Sequence, residues 1–312
     1  MSLKIKDFEN GMQVETPLLI NNVTKGVTQN GAPYLSITFQ DSTGTIEGKW
    51  WDVKPDAEKL IKNGVIGLVK CDVLLYRQNL QVRVHNITFE KTFDLEEFVV
   101  ASAYSKEFLK EKITGYVQMI KNPIYQIIVE KALDHYGEDF YLYPAATRNH
   151  HDFVGGLATH VYGMAQLAVS MKEIYPEIDL DLLLSGVLIH DLAKIDEYDQ
   201  AILSQYTAQG KLLGHISMMH AHLYDIIKDL DLLDTEESLL LRHLVLSHHG
   251  QLEFGSPVKP MVVEAEILNF LDNVDARMNM FDKLLKDVDG GNFSPREFAL
   301  ENRSFYKPKG VK

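Results

Sequence analysis

The chain has 312 residues, is 46% hydrophobic and carries a formal net charge of −13. That is enough apolar material for two ordinary domains, and too acidic a balance for indiscriminate binding to a polyanion. A single cysteine, Cys71, excludes an intramolecular disulfide, and no stretch approaches the ~20 apolar residues that span a bilayer, so membrane residence is not expected.

The start, MSLKIKDFEN, holds no apolar run of the kind a secretory leader needs, and a cytoplasmic location is the expectation. The charge is unevenly spread. Residues 1–95 carry 11 Lys and Arg against 11 Asp and Glu, which leaves 20 basic and 33 acidic groups to the rest. An acidic domain that works on phosphates needs another source of positive charge, and bound divalent cations are the usual one.

The first predicted strand runs from Val14 to Val27 and turns at Asn30-Gly31, a strong hairpin signal. Alternation follows: Leu35, Ile37 and Phe39 fall on one face and Tyr34, Ser36 and Thr38 on the other, until Asp41-Ser42-Thr43-Gly44 turns the chain into a third strand from Thr45 to Trp51. A short helix is predicted over Pro55 to Lys62, then strands from Val65 to Tyr76 and Leu80 to Phe89 around Arg77-Gln78-Asn79. Three strands, a helix and two strands are the order of a five-stranded OB-fold β-barrel, and this part of the chain resembles nucleic-acid-binding OB modules. Opposite the inward Leu35, Ile37, Phe39, Ile46 and Trp50 lie Tyr34, Lys49 and Trp51, while Val82 and Val84 leave Arg83 and His85 outward. Rings that stack bases and cations that track phosphates make Tyr34, Lys49, Trp51 and Arg83 the candidate single-strand-binding face, with Trp51 foremost. The competing role for these aromatics is to cap the barrel core or the domain junction.

From Asp94 the apolar spacing becomes three and four, through Phe98, Phe108, Ile113, Val117 and Ile120, and no strand signal returns. The expected fold is therefore multidomain: an OB barrel over residues 1–93, then an all-α domain over 94–312 whose core spans about 145–290. The tail from Ser304 to Lys312 reads as frayed.

Eleven of the twelve histidines lie between His135 and His249. The segment LLLSGVLIHDL is greasy except for His190-Asp191 at its end, and burying that pair unpaired would be costly. Coordination of a divalent cation compensates it, since the pair offers an N and an O ligand; Lys194, three residues on from Asp191, is the one nearby cation for ordinary pairing. His160 follows a diglycine in GGLATHVYGM. His215 follows a glycine in KLLGHISMMHAH, with His222 seven residues later on the same face and His220 elsewhere. His248 and His249 end the helix in LLLRHLVLSHHG, and Asp272 and Asp275 lie within one turn of VVEAEILNFLDNVDARM.

The order His160, His190-Asp191, Asp272 resembles the H…HD…D signature of HD-domain phosphohydrolases, and HDLAK with the later GH and HHG resembles members that hold two metals. With the OB module and the stretch RNHHDFVGGLATH, nearly the whole chain resembles the YhaM-type 3′–5′ exoribonucleases, which join an OB domain to an HD domain. The resemblance implies that His160, His190, Asp191 and Asp272 hold a first ion. Asp191 would bridge to a second held by His215 and one of His248 and His249, with His248 taken here and Asp275 the rival of Asp272. It also implies 3′–5′ attack on single-stranded RNA, with single-stranded DNA as an alternative; homo-oligomer formation is left open. His150 and His151 are candidates to contact the phosphate or leaving group. A mixed imidazole and carboxylate shell suits Mn²⁺, or Co²⁺ or Fe²⁺, better than Mg²⁺. Asp191 and Lys194 are the candidate catalytic residues, Lys194 as a point charge toward a phosphate oxygen or, alternatively, as the neutralising partner of Asp191. Two alternatives compete: an HD enzyme acting on a nucleotide or a cyclic dinucleotide with the OB domain as a sensor or oligomer contact, the usual Gly-Tyr-Pro extension of the cyclic-dinucleotide members being missing here, and a non-catalytic nucleic-acid-binding protein with a structural metal. No P-loop, dinucleotide fingerprint or Gly-x-Ser-x-Gly elbow occurs.

Overall fold

A computed structural model describes residues 3–27, 31–51, 53, 60–76, 79–89, 93, 98–99, 101–146, 151–286 and 288–310. The hairpin residue Asn30, most of the helix expected over 55–62, the turn residues Arg77 and Gln78, the expected boundary at residue 94, and His150 lie outside them. The chain divides into two units, Met1–Ala101 and Ser102–Lys312.

In the first unit the alternating segments pair as strands β1 (Gln13–Val27), β2 (Pro33–Asp41), β3 (Gly44–Trp51), β4 (Ile66–Tyr76) and β5 (Asn79–Thr88). They close in the order β1-β2-β3-β5-β4, with β3 and β5 parallel. This is the OB topology. β1 is long because it serves two partners: Gln13 to Leu19 pair with β4, Leu19 to Val27 with β2, and an irregularity between Ile20 and Asn22 turns the strand from one to the other. The period-2 pattern then fills the barrel with Leu35, Ile37, Phe39, Ile46, Trp50, Val69, Val73, Val82 and Val84, all buried.

The second unit is all-α among its described residues: α1 (Lys106–Met119), α2 (Pro123–Tyr136), α3 (Gly156–Ile174), α4 (Leu180–Ile189), α5 (Lys194–Glu197), α6 (Ala208–Asp229), α7 (Glu236–Ser247) and α8 (Val263–Leu285), with short 3₁₀ turns between. Their starts are chemically marked, since Ser105, Asn122, Asp179, Thr207 and Thr235 each accept a hydrogen bond from a first-turn N–H. α4 is apolar all round, and from Leu182 to Ile189 every residue is buried, so it forms the centre of the unit with α1, α2, α3, α7 and α8 packed on it. A polar pair at its C-terminal end is therefore carried into the core. α3 approaches α8 closely at Gly163, where a methyl group would strike the Asp275 carboxylate. No helix among the described residues is long and apolar enough to cross a membrane.

The tail differs from expectation. Residues 304–310 are tied down: Tyr306 bridges to Phe293, Lys307 Nζ donates to the Leu285 carbonyl at 2.9 Å, and the Phe305 ring sits 4.7 Å from Phe281. Aromatic and cationic residues in the last stretch find partners on the end of α8, which a terminal position alone does not reveal.

Candidate functional site

α4 ends at Ile189, and the next two residues, His190 and Asp191, are 0% and 1% exposed. His160 from α3, His248 from the end of α7, His215 from α6 and Asp272 from α8 converge on them. Two donor groups result. His160, His190 and Asp272 bring one ligand atom each to within 4.8 Å of one another, and so do Asp191, His215, His248 and His249. Asp191 stands between the groups: its Oδ2 lies 3.4 Å from His190 Nε2 and 3.9 Å from His160 Nε2, its Oδ1 3.4 Å from His215 Nε2 and 3.6 Å from His248 Nε2. His160 Nε2 is 3.3 Å from Asp272 Oδ1.

The tautomers are set from outside the cluster. Nδ1 of His190 meets the Val187 carbonyl at 3.0 Å, that of His248 the Val245 carbonyl at 2.8 Å and that of His249 the Phe254 carbonyl at 2.7 Å. His215 Nδ1 meets Glu197 Oε1 at 3.2 Å and His160 Nδ1 meets Asp275 Oδ2 at 2.6 Å. Each partner is an oxygen that only accepts, so each Nδ1 carries the proton and the Nε2 lone pair is turned inward. In the neutral rings the cluster is thus acceptors facing acceptors. Among the described residues His190 Nε2, Asp191 Oδ1, His215 Nε2 and His248 Nε2 are buried without a hydrogen-bond partner, a penalty of about 1–3 kcal/mol for each. Lone pairs converging at this spacing fit a divalent cation, because two ligands about 2.1 Å from one ion stand about 3.0 Å apart at octahedral and about 3.4 Å apart at tetrahedral angles.

Charge follows the same plan. Burial disfavours the Asp191 carboxylate, but the Lys194 ammonium and His190 outweigh it and hold its pKa well below the usual range. Asp272 is likewise lowered, against burial, by His160. Burial lowers His215 and His248, and it brings His249 down to about 4 with help from His248, so these rings are neutral and ligand-ready near pH 7. His160 is the exception: burial opposes its charge, yet Asp272 and Asp275 on its two sides raise it to about 10. An ion at Nε2 must displace that proton.

The sequence leaves two choices open, and the geometry distributes them. Asp272 lies in the group with His160 and His190, whereas Asp275 lies with His151 and His160 in a further candidate group, accepting from His160 Nδ1 and from His151 Nε2 (2.8 Å) and so orienting the His160 ring. Both His248 and His249 reach the second group. His151 is held by Asp275 at the rear of His160. His222 is not brought in; it pairs with Asp196 at 3.2 Å, beside Tyr136 and His135. His220 accepts from Arg242. Lys194 is 7% exposed, and its Nζ donates to Asp191 Oδ2 at 2.6 Å; its ammonium, opposed by burial, is favoured by Asp191 and Asp272. Sequence reasoning passed over Glu197, which is 7% exposed and lies two residues beyond the run buried from Leu182 to Ile195. In the sequence it stands in the charged run KIDEYD, where nothing marks one carboxylate for burial.

On the barrel, Tyr34 pairs with Trp51 across β2 and β3, Ser36 with Lys49, and Lys49 with Arg83 across β3 and β5, so the four expected residues form one outer patch. Trp51 is 43% exposed while Trp50 is in the core. The Tyr34 and Trp51 rings are 4.7 Å apart, and Lys49 Nζ sits 5.3 Å over Tyr34 while donating to Ser36 Oγ. Arg83 pairs with Asp72 at 2.7 Å, as does His85 at 2.9 Å.

Residues 157–277 match the family model described as HD domain, a family of metal-dependent phosphohydrolases. The chain is also similar to the second OB-fold domain of replication protein A from Methanococcus maripaludis, at 24% identity and a TM-score of 0.25, covering 30% of this chain and 100% of that one. A replication protein A heterotrimer bound to single-stranded DNA matches at 20% identity and a TM-score of 0.22, covering 31% of this chain and 69% of that one.

Proposed function

We propose that this protein is a two-ion phosphodiesterase that removes nucleotides from the 3′ end of single-stranded RNA, using the barrel to hold the strand. The observation that carries the hydrolytic part is Asp191, whose two carboxylate oxygens face two separate sets of inward Nε2 atoms. In this reading His160, His190, Asp191 and Asp272 hold one ion, and Asp191, His215, His248 and His249 the other. Bound divalent ions supply Lewis acidity, lowering the pKa of a water toward neutrality and neutralising phosphoryl oxygens. The chain's residues contribute the rest. Asp191 places both positions against one carboxylate, Asp275 fixes the His160 ring, and Lys194 balances the buried Asp191 charge at 2.6 Å. That contact supports charge balance over a direct phosphate contact for Lys194. The strand-holding part rests on the outer patch of Tyr34, Lys49, Trp51 and Arg83, where the exposed Trp51 ring and the half-buried Tyr34 lie beside two cations, the combination that single-strand grooves use. The 3′ polarity and the choice of RNA rest on the resemblance to YhaM-type enzymes.

The test is incubation of the full-length protein with RNA and DNA strands labelled at the 5′ end. A 3′–5′ exoribonuclease shortens the labelled RNA step by step; a nucleotide phosphohydrolase or a pure binding protein leaves both strands intact. Chelation should abolish the ladder, and Mn²⁺ or Co²⁺ should restore it better than Mg²⁺ or Ca²⁺, because imidazoles dominate the donor set. Full activity after exhaustive chelation would refute the mechanism.

A further inference from the structure

The two donor groups are supported differently from behind. Backbone carbonyls support His190 in the first, through Val187, and His248 and His249 in the second, through Val245 and Phe254. In each, another leans on a carboxylate: His160 on Asp275, and His215 on Glu197. Glu197 does more than accept the Nδ1 proton. The same Oε1 accepts the backbone N–H of His215 at 3.1 Å, so one carboxylate oxygen clamps both the ring and the main chain of a single residue. That N–H is available because α6 is broken immediately before it: Gly214 has φ 72° and ψ 153°, and His215 restarts the helix with an N–H that no preceding turn uses. Glu197 itself is fixed by α5, whose other charges are also committed, Lys194 to Asp191 and Asp196 to Tyr136 (2.8 Å) and His222. Thr207 N donates to the Glu197 carbonyl and Thr207 Oγ1 to that of Asp196, which ties α5 to the start of α6.

The geometry points to Glu197 as the positioning residue of the second cation position: by holding His215 Nε2 against Asp191 Oδ1, it makes that position a site separable from the first. This rests on the two-ion reading above. A carboxylate behind a ligating imidazole orients the ring and raises its basicity, and loss of such a partner typically weakens metal affinity 10–100-fold. The first position has its own support in Asp275, so the effect belongs to one ion only.

Mn²⁺ titration of the full-length protein, followed by calorimetry and by the electron paramagnetic resonance of the bound ions, separates the cases. The wild type should take up two ions. Glu197→Ala should bind the first with unchanged affinity and the second about 10–100-fold more weakly, with the signal of an isolated ion replacing that of a coupled pair. Glu197→Gln keeps an accepting oxygen but loses the charge, and should fall between; it carries the test if the alanine variant does not fold. Two ions bound with wild-type affinities in the folded variants would overturn the inference, as would equal weakening of both ions, the mark of a merely structural residue. A wild type that binds fewer than two ions fails earlier, at the two-ion reading itself, and takes the inference with it.

Discussion

Lys194 and Asp191 form an ion pair 2.6 Å long with both partners buried. Such a pair adds little net stability, but removal of one partner leaves an uncompensated charge in the core, at about 3–5 kcal/mol. Lys194→Met should therefore destabilise the metal-free protein by roughly that amount, and saturating Mn²⁺ should recover most of the loss, because a divalent ion against Asp191 supplies the missing charge. Denaturant unfolding of both proteins with and without Mn²⁺ measures it. If Lys194 served the substrate instead, metal-free stability would stay near wild type and only turnover would fall. At this scale the sequence says a good deal: His190 and Asp191 in a greasy segment announce an internal polar pair, and the three-residue step to Lys194 places the cation on its face. It could not rank Asp272 against Asp275, because a helix turns both inward within one turn; only the ring of His160 between them decides that one faces Nε2 and the other Nδ1.

The elements supply the angles at which those residues meet, and α6 shows how a backbone position can matter as much as a side chain. Gly214 occupies a region of φ and ψ that is essentially reserved to glycine. A methyl there meets nothing within 4 Å, so Gly214→Ala adds strain without a clash. The expected cost is about 1–3 kcal/mol, relieved only if α6 straightens and draws His215 off Glu197. Thermal unfolding together with Mn²⁺ titration should show a less stable protein whose second ion is weakened and whose first is kept; wild-type values in both would show that the break is incidental. Barrel strands were legible from alternation alone. What stayed hidden depended on contacts between elements. Glu197 lies 18 residues before the histidine it clamps, and His222, on the same face as His215, meets Asp196 instead because α5 presents two carboxylates in succession. The docked tail was missed for the same reason.

For the molecule as a whole, the uneven charge poses the question of what holds a polyanion. The helical part carries the acidic excess, while the barrel is nearly balanced and owns the patch of Tyr34, Lys49, Trp51 and Arg83. Stacking, more than charge, should therefore supply the grip. Of the two cations, Lys49 is engaged with Ser36 and Tyr34 and Arg83 is largely neutralised by Asp72. Each phosphate neutralised on a single strand contributes about −0.7 to the slope of log affinity against log salt, so the intact protein should show a slope no steeper than about −1.5. Trp51→Ala, which removes the 43%-exposed ring and leaves Tyr34 without its neighbour, should weaken strand binding by about 1–3 kcal/mol, while hydrolysis of a small chromogenic phosphodiester stays at its wild-type rate. Asp72→Asn tests the other half of the argument: with Arg83 released, the salt slope should steepen by about 0.7 and low-salt affinity should rise. Fluorescence anisotropy across a salt series resolves both changes. A Trp51→Ala protein that binds long strands as tightly as the wild type would remove this face from strand binding. An unchanged slope in Asp72→Asn would mean that Arg83 meets no phosphate even when free to do so.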